Sequence, residues 1–167
     1  MSDHTLKNKV MQTQDAWAKA VLSISKFYKE NPGDEAGLEA KVNDFIDDFY
    51  APDAKLKPTL ATDVVFRDTK EGLLSYFRGR GFKEDSGFAI KEWDDITLEE
   101  KVSNVINDVY ISGGQMTLTP SGGQSFTAEY SFAYDLKALG TLDKDSTSLD
   151  SVTLKARWHH NSLTHKN

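Results

Sequence analysis

The chain contains no cysteine. That absence removes disulfides, thiolate metal sites and cysteine nucleophiles together, and leaves the redox compartment unmarked. No stretch reaches the roughly 20 apolar residues of a membrane-crossing helix, and the opening MSDHTLKNKV has no apolar signal core. Basic charge is short as well: 20 Lys and Arg face 26 Asp and Glu, for a net charge of -6. With no long basic run, the electrostatic footprint of a nucleic-acid partner is missing. What remains is 38% hydrophobic and 28% charged over 167 residues, an ordinary globular composition. A chain of that size buries about 70% of its unfolded surface without staples. We therefore expect a soluble intracellular protein, bacterial cytoplasmic or, with a targeting segment removed, in a plastid stroma. It should form a single domain over residues 1–167, with residues 1–10 frayed.

Apolar spacing organises the first half of the chain. Trp17, Ala20, Val21, Ile24, Phe27 and Tyr28 fall on one face of a helix that NPG at 31–33 ends. Leu38, Val42, Phe45, Ile46, Phe49 and Tyr50 repeat the pattern opposite an acidic face. KLKPTLATDVVFRDT then reads as strand and places Thr59 on it. Asp68 and Glu71 have the spacing of a capping box for a third helix, which carries Ser75 and Tyr76 and stops at GRG, residues 79–81. Downstream, GFAIKEWDDITLE, VINDVYISGGQMTLTP, QSFTAEYSFAYDLKA and SVTLKARWHHNSL read as antiparallel strands broken by turn residues. Helices followed by sheet predict an α+β domain with helices on one face.

Three of the four histidines lie in the tail ARWHHNSLTHK, which raises the question of zinc. Strand neighbours point to opposite faces, so His159 and His160 do not converge on one ion. His159 and His165 share parity but stand roughly 20 Å apart along a strand. DKDSTSLD, residues 143–150, begins like a calcium loop but lacks the glycine at its sixth position, and Leu154 falls where the bidentate glutamate belongs. The glycine pairs in ISGGQ and PSGGQ read as turns, since no P-loop lysine follows. Alternation groups Trp158, His160 and Ser162 on one face and Arg157, His159 and Asn161 on the other. The first face thus offers an indole, an imidazole and a hydroxyl in a row.

The blocks FYAPDAKLKPTLA, FRDTKEGLLSYFRGRGFKEDSGFAIKEW, AEYSFAYDL and ARWHHNSL resemble, in order and content, the single-domain unit of the iota-class carbonic anhydrases. That family is related to the calmodulin-dependent kinase II association domain and to SnoaL-like proteins. The resemblance covers about residues 45 to 163. It implies a cone like nuclear transport factor 2: three helices of the N-terminal half packed on a curved antiparallel sheet enclosing a pocket. It also implies reversible hydration of CO2 to bicarbonate by hydroxyl groups in a largely apolar pocket, without a metal or other cofactor. The family's threonine of KPT, tyrosine of SYF and last serine of HHSS fall on Thr59, Tyr76 and Ser162. His160 is a fourth candidate, as proton relay or as structural partner of a tyrosine. Asn161 departs from the family's first serine, and by alternation it faces away from Ser162.

On this reading Tyr76 and Ser162 hold and polarise the water, Thr59 orients it or donates to the developing bicarbonate, and Phe88, Trp93, Tyr130 and Phe132 are candidate walls. The expected partners are CO2 or bicarbonate and a second copy of the chain, paired through the outer sheet face. Two other classes stay open. One is a non-catalytic binding or association module of the same fold; the other is a SnoaL-like cyclase or isomerase with Asp53, Asp63 or Asp68 as base.

Overall fold

The computed structural model describes residues 2–140 and 152–164. Helix α1 runs Asp3–Glu30 and α2 runs Glu35–Phe49. Strand β1 (Tyr50–Lys57) follows directly, and after a loop come α3 (Lys70–Arg78) and a single 3-10 turn at Phe88–Ile90. Strands β2 (Trp93–Ile106), β3 (Val109–Pro120) and β4 (Phe126–Asp135) form a meander; a one-turn helix α4 (Lys137–Gly140) precedes β5 (Lys155–Leu163). The calcium-like stretch at 143–150 and His165 lie outside the described residues.

The apolar faces predicted for the first two helices are the faces they bury, except that Tyr28 at the end of α1 is exposed, and α1 extends further than expected. Residues 3–10 are helical, capped by the Ser2 hydroxyl, and Val10 is fully buried while residues 3–8 are mostly exposed. Val10, Gln14, Trp17, Val21 and Ile24 form the buried stripe of α1, with Gln14 a polar residue inside it. Leu38, Val42, Phe45, Ile46 and Phe49 form that of α2. Each such side chain contributes about 1.5–3 kcal/mol by leaving water. Helix α3 is capped by Thr69, whose hydroxyl accepts from the Gly72 N–H at 3.1 Å, rather than by Asp68 one residue earlier. It ends at Gly79, whose φ of 91° needs a residue without a Cβ.

The sheet order is β1-β5-β4-β3-β2. It is mixed rather than purely antiparallel, because β1 pairs parallel with β5 while the other pairs are antiparallel. Pro58 lacks an N–H, and β1 stops before it, so Thr59 lies in the loop beyond the strand and not on it. GFAI is likewise a 3-10 turn instead of strand. Gly113 and Gly114 are not a turn but the middle of β3. A Cβ on Gly114 would lie 2.2 Å from the Glu99 carbonyl oxygen and 2.7 Å from the Tyr130 hydroxyl, so glycine is what lets Tyr130 cross the inner face.

The helices cover one face of this sheet, and the rows of side chains between them form the core. From β4 and β5, Tyr130 pairs with Asn161, Phe132 with His159 and Tyr134 with Ala156, all buried. The alternate rows, Ser131 with His160 and Glu129 with Ser162, face outward. Arg157 has no partner in β4, being skipped between Ala156 and Trp158. This bulge resets the alternation.

Candidate functional site

A cavity of about 150 Å³ opens between the loop after β1, helix α3, the segment 84–93 and the near ends of β3, β4 and β5. Its walls are mainly apolar: Phe88, Trp93, Leu118, Phe126 and Leu163. Three hydroxyl residues, Thr59, Tyr76 and Ser86, also line it, with Glu84, Asp85 and Lys91 among its polar lining. A water in the liquid occupies about 30 Å³, so the space suits a triatomic molecule and a few waters. Phe88 stacks on Tyr76 with ring centroids 5.6 Å apart and also meets Trp17 at 6.1 Å and Trp93 at 5.5 Å. The aromatic wall thereby fixes the tilt of the Tyr76 ring. Burial pushes the Tyr76 phenol up to about 12, with Thr59 hydrogen bonding opposing the rise. The phenol therefore stays protonated at neutral pH and acts as a donor.

The mouth is built by ion pairs and carboxylate bonds that sequence reading missed. Arg67, 1% exposed, holds Asp85 in a two-pronged contact at 2.6 and 2.9 Å and also donates to the carbonyls of Val64 and Gly72. The Ser75 hydroxyl donates to Asp85 and accepts from the Phe82 N–H. Glu84 accepts from the backbone N–H groups of Thr62, Asp63 and Val64 at 2.7–3.0 Å, which holds its carboxyl below the usual range. Both acids at the cavity are thus committed to shaping the loop that carries Thr59. The acids considered as an isomerase base lie elsewhere: Asp53 pairs with Arg157 at 2.7 Å, and Asp63 and Asp68 are exposed and do not line the cavity.

The structure brings Thr59 and Tyr76 together and puts Ser162 and His160 on the outer sheet face. The sharing of a face by Trp158, His160 and Ser162 holds; that this is the pocket face does not. His159, expected outside, has no exposure and stacks on Phe132 with ring centroids 4.0 Å apart. Burial pulls its pKa down to about 3, so it is a neutral imidazole. His160 is half-buried, and burial with the nearby Lys57 also lowers its pKa. The physical reason for the reversal is the strand's surroundings. Both faces of β5 carry polar side chains, so composition alone does not tell which one meets the helices. Of the expected walls, Phe88 and Trp93 line the cavity, whereas Tyr130 and Phe132 lie deeper in the core.

A second polar network crosses the core on the far side. Tyr130 donates to Gln14, Gln14 to Ser112, and Ser112 to Glu100 at 2.7 Å. The sequence carried one signal of it, the glutamine inside the apolar stripe of α1.

The description "metal-independent carbonic anhydrase" belongs to the family model that matches residues 8–147. The structure of an iota-carbonic anhydrase from a cyanobacterium, complexed with bicarbonate, is similar over 100% of this chain and 94% of that one. The identity is 25% and the TM-score 0.80. A calcium/calmodulin-dependent protein kinase II association domain from Xanthomonas campestris shares the fold at 20% identity, over 92% and 84% of the two chains, with a TM-score of 0.54. So does an NTF2-like protein with a cystatin-like fold from Novosphingobium aromaticivorans, at 9% identity, 96% and 83% coverage and a TM-score of 0.53. No curated protein sequence matches the chain. The expected cone of nuclear transport factor 2 type is the observed fold, and with the family model matched over most of its length, the chain belongs to the metal-independent carbonic anhydrases.

Proposed function

We propose that the Thr59–Tyr76 cavity is where this carbonic anhydrase interconverts CO2 and bicarbonate. The observation that carries the proposal is that the Thr59 and Tyr76 hydroxyl residues line one mainly apolar cavity of about 150 Å³. Apolar walls accept CO2, which offers weak hydrogen-bond acceptors and no net charge. Water adds its oxygen to the CO2 carbon, one C=O electron pair moves onto oxygen, and the water's proton leaves to solvent through the mouth. Tyr76, held protonated, donates to the charge that builds on oxygen, and the Thr59 hydroxyl orients the attacking water. A bicarbonate-complexed relative of the same fold supports bicarbonate as the ligand of this space.

The test is stopped-flow CO2 hydration on chelator-treated protein. Tyr76→Phe should lower kcat by about 100-fold, the usual cost of removing one such donor, and Thr59→Val should also lower it. Ser162→Ala, on the outer face, should leave it unchanged. Full activity in Tyr76→Phe would reject the site, and a loss confined to Ser162→Ala would move the chemistry to the other face. Activity lost on chelation and restored by zinc would reject hydration by hydroxyl groups alone.

The same reading includes a homodimer through the outer sheet face. There Trp158, Ala133 and Ile111 form one cross-strand row, flanked by the exposed Phe66 and Val102. An apolar stripe of that kind on a sheet face fits a second copy of the chain.

A further inference from the structure

Bicarbonate is an anion, and the chain it has to approach carries a net charge of -6. The lining of the cavity adds two carboxylates, Glu84 and Asp85. Arg67 neutralises Asp85 at 2.6 Å, whereas Glu84 is held by the backbone N–H groups of Thr62, Asp63 and Val64, which bring no net charge. A mouth built from those three side chains alone would repel the product of hydration, which is also the substrate of the reverse reaction. The same lining holds one cation that can offset this, Lys91.

Lys91 is exposed, and among the described residues no carboxylate pairs with its ammonium group. Its backbone, by contrast, is held on both sides. Lys91 closes the 3-10 turn Phe88–Ile90. The Ser25 hydroxyl of α1, in a residue 3% exposed, donates to the Lys91 carbonyl and accepts from the Trp93 N–H at 3.0 Å. The Trp93 indole donates in turn to the Phe88 carbonyl at 2.7 Å. Phe88 and Trp93 are both walls of the cavity, so these bonds fix the short segment that carries the lysine along the cavity's edge. The result is a compact point charge with an anchored backbone and no carboxylate of its own, available to an incoming anion.

We propose that Lys91 captures bicarbonate: its ammonium group draws the anion to the mouth and holds it on the way into and out of the Thr59–Tyr76 cavity. The proposal deepens the reading of that cavity as the site of the reaction and rests on it. CO2 carries no net charge, so Lys91 weights the site towards the anion without changing how the apolar walls take up CO2. The group is exposed, so water and salt screen the attraction, and the gain is a few-fold. A gain of that size suits a product that has to leave.

The test titrates bicarbonate into 15N-labelled protein at mildly alkaline pH and reads Kd from the resonances of Tyr76 and its neighbours. Lys91→Met keeps the apolar stem and deletes the charge; Lys91→Arg keeps the charge. At about 0.1 M salt, Lys91→Met should bind bicarbonate about 3–5-fold more weakly than the wild type, and Lys91→Arg should match the wild type. At about 1 M salt, where the screening length falls from about 10 to about 3 Å, the gap should close. Equal Kd values for wild type and Lys91→Met at the lower salt, with Tyr76 still responding, would overturn the role of Lys91 and leave the cavity in place. A loss shared by both variants and unchanged by salt would also overturn it, because that pattern marks lost packing and not lost charge. Bicarbonate that moves no resonance around Thr59 and Tyr76 in the wild type would refute the cavity, and the role of Lys91 with it.

Discussion

Lowering the pH from 7 to 5 protonates an ordinary histidine, whose pKa is about 6.5. His159 resists, because it is enclosed between Phe132, Trp17 and Tyr50 and its charged form would be stripped of water; its pKa in the folded protein is about 3. The folded pKa is depressed, so the stability it contributes is present above the unfolded value of about 6.5 and is lost as pH falls towards 3. In that window the unfolded chain binds a proton that the folded chain excludes. Linkage between the two pKa values makes the loss about 2 kcal/mol on going from pH 7 to pH 5. Against a typical total of about 5–15 kcal/mol this is large. Urea unfolding followed by tryptophan fluorescence at pH 7, 6 and 5 would measure it, for wild type and for His159→Gln. The variant is less stable at every pH, having lost the ring stack, but its loss on acidification should be smaller than that of the wild type by about 2 kcal/mol. Parallel pH slopes would refute the reasoning, since they would mean that His159 titrates while folded. An 15N spectrum of the ring offers a second check at pH 7, with Nε2, 2.9 Å from the Asn161 amide oxygen, protonated and Nδ1, 2.8 Å from the Tyr50 hydroxyl, bare.

The Arg67–Asp85 pair is the other buried commitment. Its side chains are 0% and 5% exposed, and Arg67→Met should lower the urea-derived stability by about 3–5 kcal/mol because it strands the Asp85 carboxylate. The double variant Arg67→Met with Asp85→Leu should recover part of that loss. For the outer face, sedimentation velocity should give a dimer for the wild type, and Ile111→Asp should shift it to monomer without altering CO2 hydration; a wild-type monomer at micromolar concentration would rule the pairing out.

Much of the frame was legible in the residues. The stripes of α1 and α2, the stop at Gly79 and the alternating strands follow from periodicities that the backbone imposes whatever the tertiary context. Thr59 and Tyr76 were legible through the KPT and SYF blocks, and the fold brings them to one cavity although 17 residues separate them in sequence. The extent of α1, the end of β1 at Pro58 and the glycines inside β3 were misread from sequence. Pro58 ends β1 locally by lacking an N–H, whereas in β3 local composition competes with a packing partner distant in the chain, as Gly114 does with Tyr130.

The tail ARWHHNSLTHK shows where the division falls. Its sequence determined that His159 and His160 diverge, because adjacent side chains of a strand do so by covalent geometry. It did not determine which of them is inside. That depends on the bulge at Arg157 and on which face meets Trp17 and Tyr50, contacts made across 142 and 109 residues of chain. The hydrophobic effect selects the buried face from the sum of the whole core, where Phe132, Trp17 and Phe45 outweigh one imidazole and one amide. Those two polar groups are then carried inward, where the imidazole meets the Tyr50 hydroxyl on one side and the Asn161 amide oxygen on the other, and only the tertiary structure could supply that hydroxyl.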